Sequence, residues 1–295
     1  MSTNKAYGLM LVAVLLWSPV PIWIREVENF VSLPSITFWR SAFGLLALLP
    51  FYLIMVHKQG MMSFSVKRAA WLVILGVSSA LAQHLFVLAL EKNLIADSSF
   101  IQQAHPIWTV IGAHFLLKER SPKKFFFPLI LSLSGVGIIA YEGGGFSATI
   151  LGHGFAFFSG VSISVAALAI RSLHLDKVKT LEITFWGIFL RMIVMFFLSG
   201  AHSLVSIGGR ELGILGVMGI VSTVTPLYLY AKAMQIVEAQ KLSLFLTLMV
   251  ITFPLTGLLY GEIPSGLTIL GGLLVGVAIL IMRIMEPPTT EINTT

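Results

Sequence analysis

Apolar residues run along this chain in long unbroken stretches. Ten such stretches are read, at about 6–24, 35–56, 69–90, 97–117, 124–141, 151–170, 181–199, 211–232, 239–260 and 266–283. A hydrocarbon layer about 30 Å thick is crossed by about 20 apolar residues in a helix, so each stretch predicts one transmembrane helix. A β-barrel would show alternation instead. The joints are short and leave no room for a soluble domain. The first stretch is not read as a cleavable signal, because it is long, carries Trp17, Pro19 and Pro21, and lacks a small-residue cleavage site. The tail at 286–295 is polar and is expected in the cytoplasm, with Pro287 and Pro288 ending the last helix.

Composition narrows the class. A soluble domain has about a quarter of its residues charged. Here 11% of 295 residues are charged, 57% are hydrophobic and mean hydropathy is +0.93. That excludes a soluble enzyme, a disordered chain and a nucleic-acid-binding domain. The chain has no Cys, which excludes a disulfide scaffold, a thiolate metal site and a Cys nucleophile. An all-α integral membrane protein is expected, with no cofactor.

The basic residues orient it. Fourteen of the 19 Lys and Arg lie at one set of helix ends, while Arg25, Lys92 and Arg210 lie at the other. The remaining two, Arg40 and Arg191, fall inside stretches. By the positive-inside rule both termini are cytoplasmic. The clean alternation also supports ten crossings.

The chain repeats itself. Ile36-Thr37-Phe38-Trp39 recurs as Ile183-Thr184-Phe185-Trp186, Ile24-Arg25 as Ile170-Arg171, and Glu119 as Glu262, at offsets of 147, 146 and 143. Residues 1–145 and 146–285 are thus read as two five-helix repeats. Five is odd, so the second copy is inverted, and the two surround a central cavity. Inverted repeats of this kind build alternating-access transporters with substrate near the midplane.

Several short motifs then make the chain resemble the drug/metabolite transporter superfamily, and within it the ten-helix EamA-type members. They are Leu15-Leu16-Trp17-Ser18, Phe38-Trp39-Arg40, Ala89-Leu90, Pro106 followed by Leu116-Leu117-Lys118-Glu119-Arg120, Tyr260-Gly261-Glu262 and Gly271-Gly272. Two departures are visible. Met249 stands where Pro106 predicts a proline, and Gly187 answers Arg40, with Arg191 one turn further on. The resemblance implies a transporter of small metabolites in a bacterial inner membrane. It also implies that the third and fourth helices face the cavity with the first, sixth, eighth and ninth. That brings in Trp17, Ser18, Ser162, Ser164, Ser222, Thr223, Tyr228 and Thr247.

Polar residues deep in a bilayer are costly and need a reason. Gln83 and His84 fall near the middle of the third stretch, and Gln102, Gln103 and His105 near the middle of the fourth, with Trp108 close by. Gln102, Gln103 and Pro106 share a helical face by spacing. These groups are expected to bind substrate by hydrogen bonds and stacking. His84 is the first choice, and His105 is the member that spacing leaves free to face away. For the Ser and Thr residues, Ser164 among them, interhelical hydrogen bonding is the simpler role. Arg40 and Pro106 are read as structural or gating. Arg191 has no acidic residue at its depth, so carbonyls, water or substrate must satisfy it. Glu119 and Glu262 are read as symmetry-related gates or hinges.

The energetics of transport are bounded too. No Walker motif or ATPase domain is present, so direct ATP use is excluded. No Asp or Glu is expected mid-span, which argues against a cationic drug held by a buried anion. His84 could act as a protonation switch, so a proton is the one coupling ion kept open. The leading expectation is an exporter of amino acids or related zwitterions, running as a facilitator or exchanger. The alternative is an importer of a choline-like amine held in a cage of Trp17, Trp108 and Tyr228. An embedded enzyme would need a metal cluster or a nucleophile–base pair, and neither is seen. The expected partners are a small-molecule substrate and the lipid bilayer, with the chain a monomer or a homodimer.

Overall fold

The computed structural model describes residues 2–63, 65–92, 95–103, 105–119, 126–142, 150–200, 207–258, 261 and 265–285. Every regular element among the described residues is helical. Seven helical stretches are long and apolar enough to cross a membrane: Thr3–Val27, Leu33–Gln59, Val66–Lys92, Leu151–Leu175, Thr180–Ser199, Gly209–Ala233 and Ala239–Gly257. We number the α-helical segments α1 (Thr3–Trp17), α2 (Val20–Val27), α3 (Leu33–Gln59), α4 (Val66–Lys92), α5 (Ile95–Gln102), α6 (His105–Leu116) and α7 (Phe126–Glu142). They continue as α8 (Ile150–Leu175), α9 (Thr180–Ser199), α10 (Gly209–Gly219), α11 (Thr225–Ala233), α12 (Ala239–Leu246), α13 (Met249–Gly257) and α14 (Gly266–Met285). Glu262 and the 286–295 tail lie outside the described residues.

The expected apolar stretches are found as helices, but several are broken. Ser18 and Pro19 separate α1 from α2, and a wide π turn over Ile220–Val224 separates α10 from α11. Other breaks fall between α5 and α6 and between α12 and α13. Proline explains three of the four. It has no N–H, so the carbonyl four residues earlier loses its helical partner. Pro19, Pro106 and Pro226 thereby free the carbonyls of Leu15, Gln102 and Ser222. The fourth break, at Thr247 and Leu248, has no proline at the corresponding place and closes with tighter i→i−3 bonds, Thr247 N–H to Leu244 O and Leu248 N–H to Phe245 O.

Packing follows the repeat. α4 packs on α8 as α1 packs on α11, α4 on α9 as α3 on α10, and α5 on α8 as α12 on α1. The pairs α3 with α9 and α7 with α14 map onto themselves, and α5 with α13 maps onto α12 with α6. Exchanging the two halves therefore leaves the pattern of contacts in place. Close approach rests on small residues. A Cβ on Gly44 would lie 2.8 Å from the carbonyl of Gly219, and one on Gly135 would lie 2.5 Å from that of Gly271. Large apolar side chains such as Phe51, Phe115, Phe197 and Leu273 point outward. The interior, mostly apolar, also hides Ser35, Ser41, Ser159 and Ser243.

Candidate substrate site

A cavity of about 120 Å³ lies among the breaks. Gln83, Phe86, Gln102, Gln103 and His105 line it from the first half, together with Trp17 and Arg40. Tyr230, Leu246, Met249 and Phe253 line it from the second. Among the described residues, no Asp or Glu lines it.

Arg40 is its charged group, and its position is built locally. α3 crosses α10 at Gly44 and Gly219, where only glycine lets the backbones meet. The guanidinium then reaches the π turn. Its Nε donates to Thr223 Oγ1 at 2.9 Å, its Nη2 to the Ser222 carbonyl at 3.2 Å, and its Nη1 to Gln83 Oε1 at 3.0 Å. The Ser222 carbonyl is the one that Pro226 freed. Removing a guanidinium from water costs several kcal/mol. Three charge-assisted hydrogen bonds at about 1.5–3 kcal/mol each are of the size needed to hold it. Expected as a gate or structural residue, Arg40 forms part of the cavity wall.

The break between α5 and α6 supplies the polar pole. Pro106 frees the Gln102 carbonyl, and Gly160 of α8 lies against it, close enough that a Cβ would sit 2.6 Å from that oxygen. Ser164, four residues on, donates to the His105 carbonyl at 2.7 Å. Gln102 Nε2 donates to Ser159 Oγ at 2.7 Å, and Ser159 Oγ to the Ala82 carbonyl at 2.7 Å. With the backbone thus fixed, Gln103 and His105 line the cavity. Gln103 Oε1 and both ring nitrogens of His105 are buried without a hydrogen-bond partner among the described residues. The spacing argument assumed one continuous helix and so allowed His105 to face away. The break turns it inward.

Other expected residues fall elsewhere. His84 is half-buried, is absent from the cavity lining, and has a buried Nδ1 without a partner. Ser18 Oγ bonds back to the Val14 carbonyl at 2.8 Å, and Ser162 Oγ to the Phe158 carbonyl at 2.8 Å. Ser164 ties two helices together, the simpler role foreseen for it. Trp108 packs edge-on against Phe157 at 5.6 Å, and Tyr228 sits under Lys232 Nζ at 5.6 Å. The three rings assigned to an amine cage are therefore not brought together, and only Trp17 lines the cavity. Its aromatic neighbour there is Tyr230, at 5.9 Å, two residues from the expected Tyr228. Thr247 bonds to Leu244 and Ser132 rather than lining the space.

Arg191 is buried in α9 behind the cavity. Its Nε donates to Ser41 Oγ at 3.0 Å, and its buried Nη2 has no hydrogen-bond partner among the described residues. Glu119 receives Arg171 Nε at 2.7 Å, while Arg171 Nη1 donates to the Met234 carbonyl at 2.8 Å. That clasp joins the ends of α6, α8 and α11. Buried Pro106 shapes the break but does not line the cavity. The missed lining residues Phe86, Met249 and Phe253 carry no sequence signal beyond their apolarity.

Comparison with known proteins fits this architecture. The EamA-like transporter family signature matches residues 4–141 and again 150–284. The pseudopaline exporter CntI of Pseudomonas aeruginosa strain UCBPP-PA14 is 25% identical over 275 residues, 92% of this chain and 93% of that one. An uncharacterized transporter of Archaeoglobus fulgidus is 25% identical over 277 residues, covering 93% and 94% of the two chains. A solved crystal structure superimposes with a TM-score of 0.75, spanning 98% of this chain and 100% of the other at 17% identity, a likeness of fold alone.

Proposed function

The chain belongs to the EamA-like transporter family of the drug/metabolite transporter superfamily, and from that premise we propose that it exports small zwitterionic metabolites, amino acids or their relatives, by alternating access. The protein is a multi-pass membrane transporter, as its family and its apolar helices indicate. The seven long helices together with α5–α6, α7 and α14 support ten crossings. The alternation of Lys and Arg supports cytoplasmic termini, and the Pseudomonas aeruginosa relative supports an inner-membrane location. Repeats at 1–145 and 146–285, inverted by their odd helix number, are consistent with the doubled family match.

One observation carries the substrate reading. The cavity opposes a buried cation, Arg40, to buried acceptors that have no partner, Gln103 Oε1 and a ring nitrogen of His105. An α-amino acid has the complementary pair, a carboxylate for the guanidinium and an ammonium for the acceptors. Its side chain would rest on Trp17, Phe86, Tyr230 and Phe253. A cavity without acidic lining does not suit a lone cation, so the choline-like alternative loses its support. The cycle runs as facilitated exchange, with the Glu119–Arg171 clasp opening at one end.

Counterflow tests this. Proteoliposomes loaded with unlabelled phenylalanine and given labelled phenylalanine, with no ion gradient, are expected to accumulate label transiently above equilibrium. Arg40→Gln should abolish the overshoot, and Gln103→Ala should weaken it. An overshoot with choline and none with any amino acid would overturn the proposal.

A further inference from the structure

The interior holds a second cation that the zwitterion reading does not use. Arg191 is only 4% exposed, in the middle of α9. Among the described residues no carboxylate forms an ion pair with it. Glu182, on the same helix, lies nine residues away, roughly 13 Å along the axis at 1.5 Å per residue. The carboxylate of Glu182 instead receives the Met62 N–H at 2.6 Å. Arg191 is tied to α3 through Ser41, the residue that follows Arg40. Ser41 Oγ is itself bound to the Thr37 carbonyl at 2.6 Å. The two guanidinium groups therefore flank one turn of α3, Arg40 on the cavity side and Arg191 behind it.

Two like charges in a medium of low dielectric constant raise each other's cost. Arg40 recovers that cost through three hydrogen bonds. Arg191 has one bond shown and one buried nitrogen left over. A zwitterion brings no net charge to the pair. A substrate with a second negative group does. Its attraction to both guanidinium groups reaches through the protein, because a dry interior screens charge weakly.

We infer that the transported species carries net negative charge, an amino acid bearing a second carboxylate, and that Arg191 sets this preference through its field without touching the substrate. This rests on the amino-acid reading of the cavity and narrows it. Arg191 is a specificity-determining residue, and Arg40 remains the contact.

Aspartate and asparagine are near-isosteres that differ by one charge, so their counterflow rates read the inference directly. Wild-type proteoliposomes are expected to exchange labelled aspartate about tenfold faster than asparagine, the size of one favourable charge interaction in a partly screened interior. In Arg191→Gln the ratio should collapse to about one while asparagine exchange continues, and Arg191→Lys should restore the preference for aspartate. An equal or faster wild-type rate for asparagine overturns the inference, whether or not the variants fold. So does an unchanged ratio in a folded Arg191→Gln protein. If phenylalanine and asparagine exchange and aspartate does not, the amino-acid reading stands and the charge preference falls. If no amino acid exchanges, both fall together.

Discussion

The break between α5 and α6 and the break between α12 and α13 occupy corresponding places in the two halves, yet they present opposite chemistry. At the offset of 143 residues, Gln103 answers Leu246 and Pro106 answers Met249. Both breaks turn side chains into the same cavity. The first offers an amide and an imidazole with unpaired atoms, and the second offers Leu246, Met249 and Phe253. A duplicated scaffold thus became an asymmetric site. The symmetric part is backbone geometry. The asymmetric part is which side chains the opened turn releases. One pole suits the charged end of an amino acid, and the other suits whatever side chain it carries.

Arg40 completes the polar pole, and its loss should be felt most. Arg40→Gln is expected to lower counterflow about hundredfold, equivalent to about 3 kcal/mol for a charge-assisted contact. Elution of the variant at the wild-type position in detergent gel filtration would separate this from misfolding. An active Arg40→Gln carrier would remove the anion pole from the mechanism.

The two breaks themselves can then be set against each other. Gln103→Leu gives the first break the chemistry of the second, and should raise the half-saturating concentration about tenfold for every amino acid alike. Leu246→Ala should instead penalise phenylalanine about tenfold while leaving alanine near wild type, since only a large side chain loses packing. A similar response to both changes would mean that the poles are not separate.

Smaller effects test the scaffold. Gly160→Ala places a methyl group against the Gln102 carbonyl, and overpacking of this kind costs about 1–3 kcal/mol. A lowered thermal midpoint is expected, with transport at low temperature retained. The smallest effect belongs to His84→Ala. His84 does not line the cavity, so counterflow should stay within about twofold of wild type, less than the loss of one hydrogen bond. A large loss there would mean that the cavity of another conformational state includes it.

Much of this was legible in the chain. The apolar runs announced the helices, because a bilayer demands about 20 apolar residues per crossing and internal pairing of every backbone group. The echoed motifs announced the repeat. Pro106 announced a weak point in the fourth stretch, Gln83, Gln102 and Gln103 were picked out as polar groups at the wrong depth for lipid, and Trp17 came in through the family resemblance. Where expectation missed, a continuous helix had been assumed. His105 was allowed to face outward because spacing was counted through the break. Tyr228 was preferred to its neighbour Tyr230 because nothing local separates them. In the folded chain, one sits under Lys232 at the edge and the other beside Trp17 in the cavity.

The sequence by itself determined the class of molecule, the number and order of its apolar runs, the repeat and a short roster of buried polar residues. Those follow from composition and period, which are local. Only the tertiary structure decided which of those residues meet. Gly44 against Gly219 sets where α3 crosses α10, and hence that Arg40 reaches Ser222, Thr223 and Gln83. Gly160 against the freed Gln102 carbonyl and Ser164 on the His105 carbonyl fix the backbone that carries Gln103 and His105. A carbonyl released by proline has no partner along its own helix, so its environment, and the side chains that turn with it, are chosen by whichever helix packs alongside.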